Sequence, residues 1–326
     1  MNSTKGKYDS PFKATLSGIL DLFKKKDSIG SLRESDRLEG KRILITGASS
    51  GLGLAAAKQL AALGGEVIMA VRSGIPDKGE EVKKASGNSK IHMIHVDLID
   101  FTSIEHLITA VKSGFGSIDI LICNAAVVVN RARKTRAGLD EMFTVNYLAK
   151  FVLINGLIKH KCFNRNTSEV PRIVIVSSES HRNPESFEWD TFGHFRDYGM
   201  SQAVERYGYY KLLLTTFAVE LSRRLNSNPD DTFSVFSLCP GPVNSNIARE
   251  APRWVQPPMK LVFKIFFRSP EKAAEPVIYL SASKELPNKT FDYLFLMGRK
   301  KVDHKALDPE NGKRLWEETE RLLTRL

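Results

Sequence analysis

The sequence predicts an α/β chain folded as a doubly wound parallel sheet, in a single domain behind a short N-terminal extension. Three observations carry that expectation. From residue 41 onward, β-rich apolar runs alternate with helical patterns, as in parallel β-α-β units with right-handed crossovers. The runs are apolar almost throughout, as strands covered on both faces must be. A glycine-bearing bend joins the first run to the first helix. With 326 residues, 42% hydrophobic and 26% charged, the chain can bury the core this requires.

Residues 1–39 are assigned to the extension and 40–326 to the domain. The extension is rich in Lys, Ser, Asp and Gly and shows no strand pattern. Within it Phe12, Leu16, Ile19, Leu20 and Phe23 share one helical stripe, flanked by Lys13, Lys24, Lys25 and Lys26. Residues 11–26 therefore read as an amphipathic helix, packed on the domain or lying on an anionic membrane. Strands are expected at Lys41–Thr46, Glu66–Val71, Ile91–Val96, Ile118–Asn124, Arg172–Ser178, Thr232–Leu238 and Tyr293–Met297. Helices are expected over 51–63, 137–160, 204–225, 270–283 and 309–325. This is the order of a Rossmann-type domain. The two long helices, 137–160 and 204–225, leave a homodimer open.

Composition narrows the function classes. No run approaches the roughly 18 apolar residues of a spanning helix, and no secretory signal opens the chain. Cys123, Cys162 and Cys239 lie far apart, which fits a reducing, cytoplasmic setting. The net charge of +11 favours a polyanionic cofactor or anionic lipid. Without zinc-finger spacing or an RNA-binding motif, nucleic acid is not the expected partner. His92 and His95 stand three apart on a strand and face opposite sides, so no metal site is expected. His181 and His194 read as polar loop surface, with pocket lining as the alternative.

The bend Thr46-Gly47-Ala48-Ser49-Ser50-Gly51-Leu52-Gly53 carries the most information. Gly47 allows a tight turn, Gly51 lets the backbone approach a pyrophosphate, and Gly53 permits close helix–strand packing. Free N–H groups at the helix start, around Ser49, Ser50 and Leu52, then face the phosphates. The second strand ends at Val71, where NAD-binding proteins place a carboxylate for the ribose hydroxyl, and Arg72 follows. A guanidinium can pair with a 2′-phosphate, so the expected cofactor is NADP(H); the alternative is a plain surface arginine. Asp97 and Leu98, after the third strand, are expected beside the adenine. Asp97 has a second reading as a helix N-cap.

Tyr207 and Lys211 stand four apart within a helical pattern, on one face. A nearby ammonium favours the tyrosinate, making the phenol a usable acid or base near neutrality. Tyr209 and Tyr210 point elsewhere, as packing or pocket wall. Taken with Cys123-Asn124-Ala125-Ala126, Asn146, Ser177-Ser178 and Pro240-Gly241-Pro242-Val243, this pattern resembles the short-chain dehydrogenase/reductase family from about residue 40 onward.

The resemblance implies a catalytic set of Asn146, Ser178, Tyr207 and Lys211. Tyr207 would exchange the proton at the substrate oxygen, and Ser178 would hydrogen-bond that oxygen. Lys211 would hold the nicotinamide ribose and tune Tyr207. Asn146 would hold a water that relays protons to Lys211. Asn124 and Ala125 would line the adenosine side of the cofactor, and Pro240, Gly241, Val243 and Ser245 the nicotinamide side. Ser177 and Ser180 are rivals to Ser178; strand alternation turns Ser177 to the opposite face. Ala126 stands where the family usually has Gly, which is tolerable at negative φ. Cys123 reads as a buried strand residue.

Twenty-eight residues separate Ser178 from Tyr207. With Arg314-Leu315-Trp316-Glu317-Glu318, this segment is similar to the retinol dehydrogenase-like branch, which implies bulky lipophilic alcohol or carbonyl substrates. A second resemblance, through Gly51–Ala55, Val67–Ala70 and Cys123–Val127, is to light-dependent protochlorophyllide reductase, which reduces a ring double bond. A non-catalytic nucleotide-binding scaffold is the reading from another class. Residues 246–268 are the expected substrate lid. Within it, apolar residues from Trp254 to Phe267, punctuated by Lys260, Lys264 and Arg268, suggest peripheral membrane contact through 254–268.

Overall fold

Among the described residues, eight strands form one sheet in the order β3-β2-β1-β4-β5-β6-β7-β8. They are β1 Arg42–Thr46, β2 Glu66–Val71, β3 Ile91–His95, β4 Ile120–Cys123, β5 Arg172–Val176, β6 Ser234–Cys239, β7 Phe291–Phe295 and β8 Gly298–Arg299. The first seven run parallel, and β8 returns antiparallel on β7. This computed structural model describes residues 28–165, 169–227, 232–243, 268–288 and 290–326.

Alternation explains why the strands are apolar throughout. On β1, Leu44 joins the core on one face, while Ile43 and Ile45 join the core on the other. The first core is covered by α3 (Phe101–Phe115), α5 (Ala149–Lys159) and α6 (Met200–Leu225); the second by α1 (Gly51–Ala62), α2 (Asp77–Ser86) and α7 (Pro270–Ala282). The chain winds outward through β1, β2 and β3, then crosses back to β4 beside β1. That reversal opens a crevice at the carboxyl ends of β1 and β4, where such sheets bind ligands.

Several expected boundaries move. The 137–160 helix is three pieces: a short α4 (Glu141–Phe143), a π-helical turn at Thr144–Leu148, and α5. It starts late because Gly138 adopts φ +78° and Asp140 caps the Phe143 N–H at 2.7 Å. The polar helix α2 buries only Gly79 and Val82, too little for a stripe. The seventh strand sits two residues earlier than expected, because Leu296 turns at φ +56° into β8.

The described part of the extension is tied to the domain. Ile29 N–H donates to Met297 O at 2.8 Å, and Tyr279 Oη donates to Ile29 O at 2.8 Å. The expected helix at 11–26 and the lid at 246–268, Arg268 excepted, lie outside the described residues. After α8 (His304–Leu307), the last helix, α9 (Pro309–Leu323), lies across α5 and α6. Its Trp316 ring sits 4.9 Å from Phe151 and 5.8 Å from Phe217. Part of the face offered for subunit pairing is thus covered by the chain itself. Among the described residues, no helix is long and apolar enough to cross a membrane.

Candidate active site

Sterics fix the bend after β1. Gly47 has φ +69°, and a Cβ there would lie 2.8 Å from Ala125 Cα. A Cβ on Gly53 would lie 2.3 Å from Gly47 O and 2.5 Å from Asn124 Nδ2. Only glycine fits either position without the neighbours moving. Asn124 Nδ2 donates to Thr46 O at 3.0 Å and to Gly47 O at 3.2 Å. Thr46 Oγ1 accepts from Asn124 N at 3.1 Å and Ala125 N at 3.2 Å, so the ends of β1 and β4 are laced together.

The residues present suit a dinucleotide. Ser50 is extended at the start of α1 without a side-chain cap, and the first turn of α1 holds no acidic residue. Its first N–H groups are therefore available to phosphate oxygens without like-charge repulsion. Arg72 is exposed directly after β2 and makes no ion pair with a carboxylate among the described residues. Asp97 does not cap α3. Asp100 does, accepting from Thr102 N at 3.0 Å, because α3 begins three residues later than a cap at Asp97 requires. Asp97 instead shapes the preceding turn, accepting from Ile99 N at 3.2 Å; Leu98 is buried beside it. Pro240, Gly241 (φ +78°) and Val243 follow β6 at the same end of the sheet. Ser245 lies outside the described residues. Ala126 does not have positive φ.

Tyr207 and Lys211 meet Ser178 at the end of β5. The Ser178 hydroxyl faces the Tyr207 phenol and favours its ionisation, against the larger effect of burial. Lys211 Nζ sits 5.5 Å from the Tyr207 ring centre and donates to Val176 O at 3.0 Å. Ser177 faces the other way, with Oγ 2.7 Å from Thr215 Oγ1 in the core. Ser180 supports Ser178 from the side, at 3.1 Å between hydroxyls. Gly208 makes the approach possible: a Cβ there would lie 2.9 Å from Ser180 O.

Burial dominates the electrostatics of this pair. Burial holds the Tyr207 phenol well above its ordinary value. Burial, and then the charge of Lys150, bring Lys211 down to about 7. Burial outweighs the pull that an amine so readily neutral exerts on the phenol. Asn146 lies in the π-turn, fully buried. Its Oδ1 accepts from Val127 N at 2.9 Å and its Nδ2 donates to Val127 O at 2.8 Å. A water relay would have to use its one remaining lone pair and N–H.

Three features were not foreseen. Lys150 is buried beside the π-turn, donating to Ala125 O at 2.8 Å and Val145 O at 2.6 Å. It brings a cation near Cys123, whose thiol burial pushes up to about 12. His181 is not loop surface. It is fully buried, with Nδ1 2.7 Å from Ser178 O and Nε2 accepting from Asp303 N at 3.2 Å. Burial lowers it to about 4, so the ring is neutral. His194 is exposed. Third, part of the 179–206 segment serves anchorage: Phe187 stacks on Trp189 at 4.6 Å, and the Arg314 guanidinium of α9 sits 4.8 Å from the Trp189 ring. Among the described residues, no side-chain cluster could hold a metal.

Comparison with known proteins agrees with this geometry. A family model described as short chain dehydrogenase matches residues 41–188. Retinol dehydrogenase 14 of Homo sapiens is 30% identical over 303 residues, covering 87% of this chain and 86% of that protein. The chain belongs to the short-chain dehydrogenase/reductase family. Within it the chain falls in the retinol dehydrogenase-like branch: retinol dehydrogenase 13 of Homo sapiens is 29% identical, covering 95% of this chain and 92% of its own. A solved but uncharacterised protein of Mycobacterium paratuberculosis superposes with TM-score 0.67 at 26% identity, over 90% of this chain and 98% of that one. Members are hydride-transfer oxidoreductases that use nicotinamide cofactors.

Proposed function

We propose that this protein is an NADP(H)-dependent oxidoreductase that transfers a hydride between nicotinamide and the alcohol or carbonyl carbon of a bulky lipophilic substrate, retinoid- or steroid-like. One observation carries the reading: Ser178, Tyr207 and Lys211 converge at the end of β5, beside the glycine bend at the crevice between β1 and β4.

In this reading the cofactor supplies and accepts the hydride, and the protein supplies geometry and electrostatics. Gly47, Ser49, Ser50, Gly51, Leu52 and Gly53 present backbone to the pyrophosphate. Arg72 pairs with the 2′-phosphate, while Asp97, Leu98, Asn124 and Ala125 flank the adenosine. Pro240, Gly241, Val243 and Ser245 border the nicotinamide. Tyr207 gives its proton to the substrate oxygen in reduction and takes it back in oxidation; Ser178 holds the same oxygen. Lys211 binds the nicotinamide ribose, and Asn146 stands behind it. A high phenol pKa suits a proton donor to a developing alkoxide. The basic, apolar stretches 11–26 and 254–268 would bring the site to a membrane-dissolved substrate, which liposome flotation with and without residues 1–38 tests.

The test is NADPH binding by fluorescence, then its oxidation with a panel of retinoid and steroid carbonyls. Tyr207→Phe is expected to lower kcat by about 10²- to 10⁴-fold with binding intact. Arg72→Ala is expected to weaken NADPH roughly ten- to a hundredfold and leave NADH unchanged. Binding without turnover across the panel, indifferent to Tyr207→Phe, would favour a scaffold. Turnover confined to conjugated ring double bonds would favour the protochlorophyllide-type reaction.

A further inference from the structure

The mechanism leaves one buried charge unused. Lys150 is 2% exposed, yet no carboxylate pairs with it among the described residues. Two of its three N–H donors go to backbone carbonyls, Ala125 O beyond β4 and Val145 O in the π-turn. Lys211, 1% exposed, donates to Val176 O at the end of β5. Strands β4 and β5 are neighbours, with Cys123 opposite Ile175. The two amines therefore end on adjacent strand termini, both out of water. Two such charges at close quarters repel strongly in a poorly polarisable interior.

We propose that Lys150 is a positioning residue for Lys211: the two buried amines share close to one proton at neutral pH, and Lys150 sets the pH at which Lys211 gives its proton up. The same amine clamps the floor beyond β4 to the π-turn that presents Asn146. The titratable groups facing the pair are Cys123 from β4, Cys239 from β6 and Tyr207 from α6, all held in their neutral forms by burial. From α3 the buried residues are apolar: Ile104, Leu107, Ile108 and Val111. Asp140, a buried carboxylate ahead of the π-turn, is occupied by Phe143 N and by Tyr198 Oη at 3.0 Å. Among the described residues no carboxylate offsets the pair, which leaves deprotonation to relieve it. In agreement, burial brings Lys150 to about 8 and Lys211 to about 7.

The proposal makes a stability prediction that does not depend on turnover. Amines depressed in the folded chain hold fewer protons there than in the unfolded chain, so stability rises with pH from about 7 toward 10. Melting temperatures of the cofactor-free full chain, measured from pH 6.5 to 7.5, read this below about pH 8.5, where the thiols of the unfolded chain titrate. Wild type should rise across the window, Lys150→Met should be flattened, and Lys150→Arg should be intermediate because it keeps the charge facing Lys211. If Lys150→Met does not fold, the Lys211→Met slope reads the pair from the other side and should be flattened too. Equal slopes in wild type and whichever Met variant folds would overturn the proposal.

A second arm rests on the functional reading above. In the pH profile of kcat, Lys150→Met should move the Lys211 ionisation upward by about one unit, and Lys150→Arg should leave it near wild type. A shift common to both variants would overturn the charge argument. Flattened stability with a flat kinetic profile in every protein would sustain the amine pair and remove Lys211 from the proposed chemistry.

Discussion

The glycine bend after β1 and the amines behind Tyr207 share one edge of the sheet but are held by different physics. The bend is built from absence: at Gly47 and Gly53 any side chain collides with Ala125, Gly47 O or Asn124. The amines are built from presence: long side chains of Lys150 and Lys211 are buried and satisfied by carbonyls. A steric device fails all at once and ignores pH. An electrostatic device fails by degrees and titrates. Each region therefore has its own mode of failure, and mutations can tell the two apart.

The largest effect belongs to the bend. Gly53→Ala places a Cβ 2.3 Å from Gly47 O, backbone that cannot rotate away. We expect a stability loss of about 1–3 kcal/mol and dinucleotide binding weakened beyond detection by fluorescence titration, at every pH tested. Wild-type affinity in this variant would show that the bend is softer than its contacts imply.

Next comes the pair of adjacent serines. Ser178 faces the Tyr207 phenol, whereas Ser177 bonds Thr215 in the core. Ser178→Ala should lower kcat about a hundredfold, as loss of one donor to a reacting oxygen does, with little change in melting temperature. Ser177→Ala should leave kcat near wild type and cost roughly 1 kcal/mol in urea unfolding. The reverse assignment would mean that β5 presents its other face to the substrate.

The same contrast explains what was legible in the sequence. Glycine spacing in Gly47-x-x-x-Gly51-x-Gly53 announces the bend because no other residue could occupy it. Six of the seven parallel strands overlap their expected spans closely, since residues such as Ile43, Leu44 and Ile45 must be apolar to meet cores on both faces. Tyr207 and Lys211 were visible as a helical pair. Lys150 was not, because a lysine one turn beyond Asn146 reads as solvated unless the π-turn is known to bury it. Helix α2 was missed because it buries almost nothing. His181 was misplaced because its partner Asp303 is more than a hundred residues away in the chain.

His181 gives the smallest effect and the cleanest sign. It is neutral, held between Ser178 O and Asp303 N, with Glu179 and Arg182 on its own turn and Asp303 across from it. Its folded value of about 4 lies below the ordinary 6.5, so the unfolded chain takes up its proton first as pH falls. Stability is fully present above 6.5 and is lost as pH drops toward 4. Between pH 6.5 and 5.5 this amounts to about 1 kcal/mol. His181→Gln can keep one donor toward Ser178 O and one acceptor toward Asp303 N without a proton to bind. Urea unfolding at the two pH values should therefore show a smaller acid loss in the variant than in wild type. Equal losses would place the acid sensitivity in the carboxylates around Glu179 and Asp303, and would leave the ring as a neutral spacer beneath Ser178.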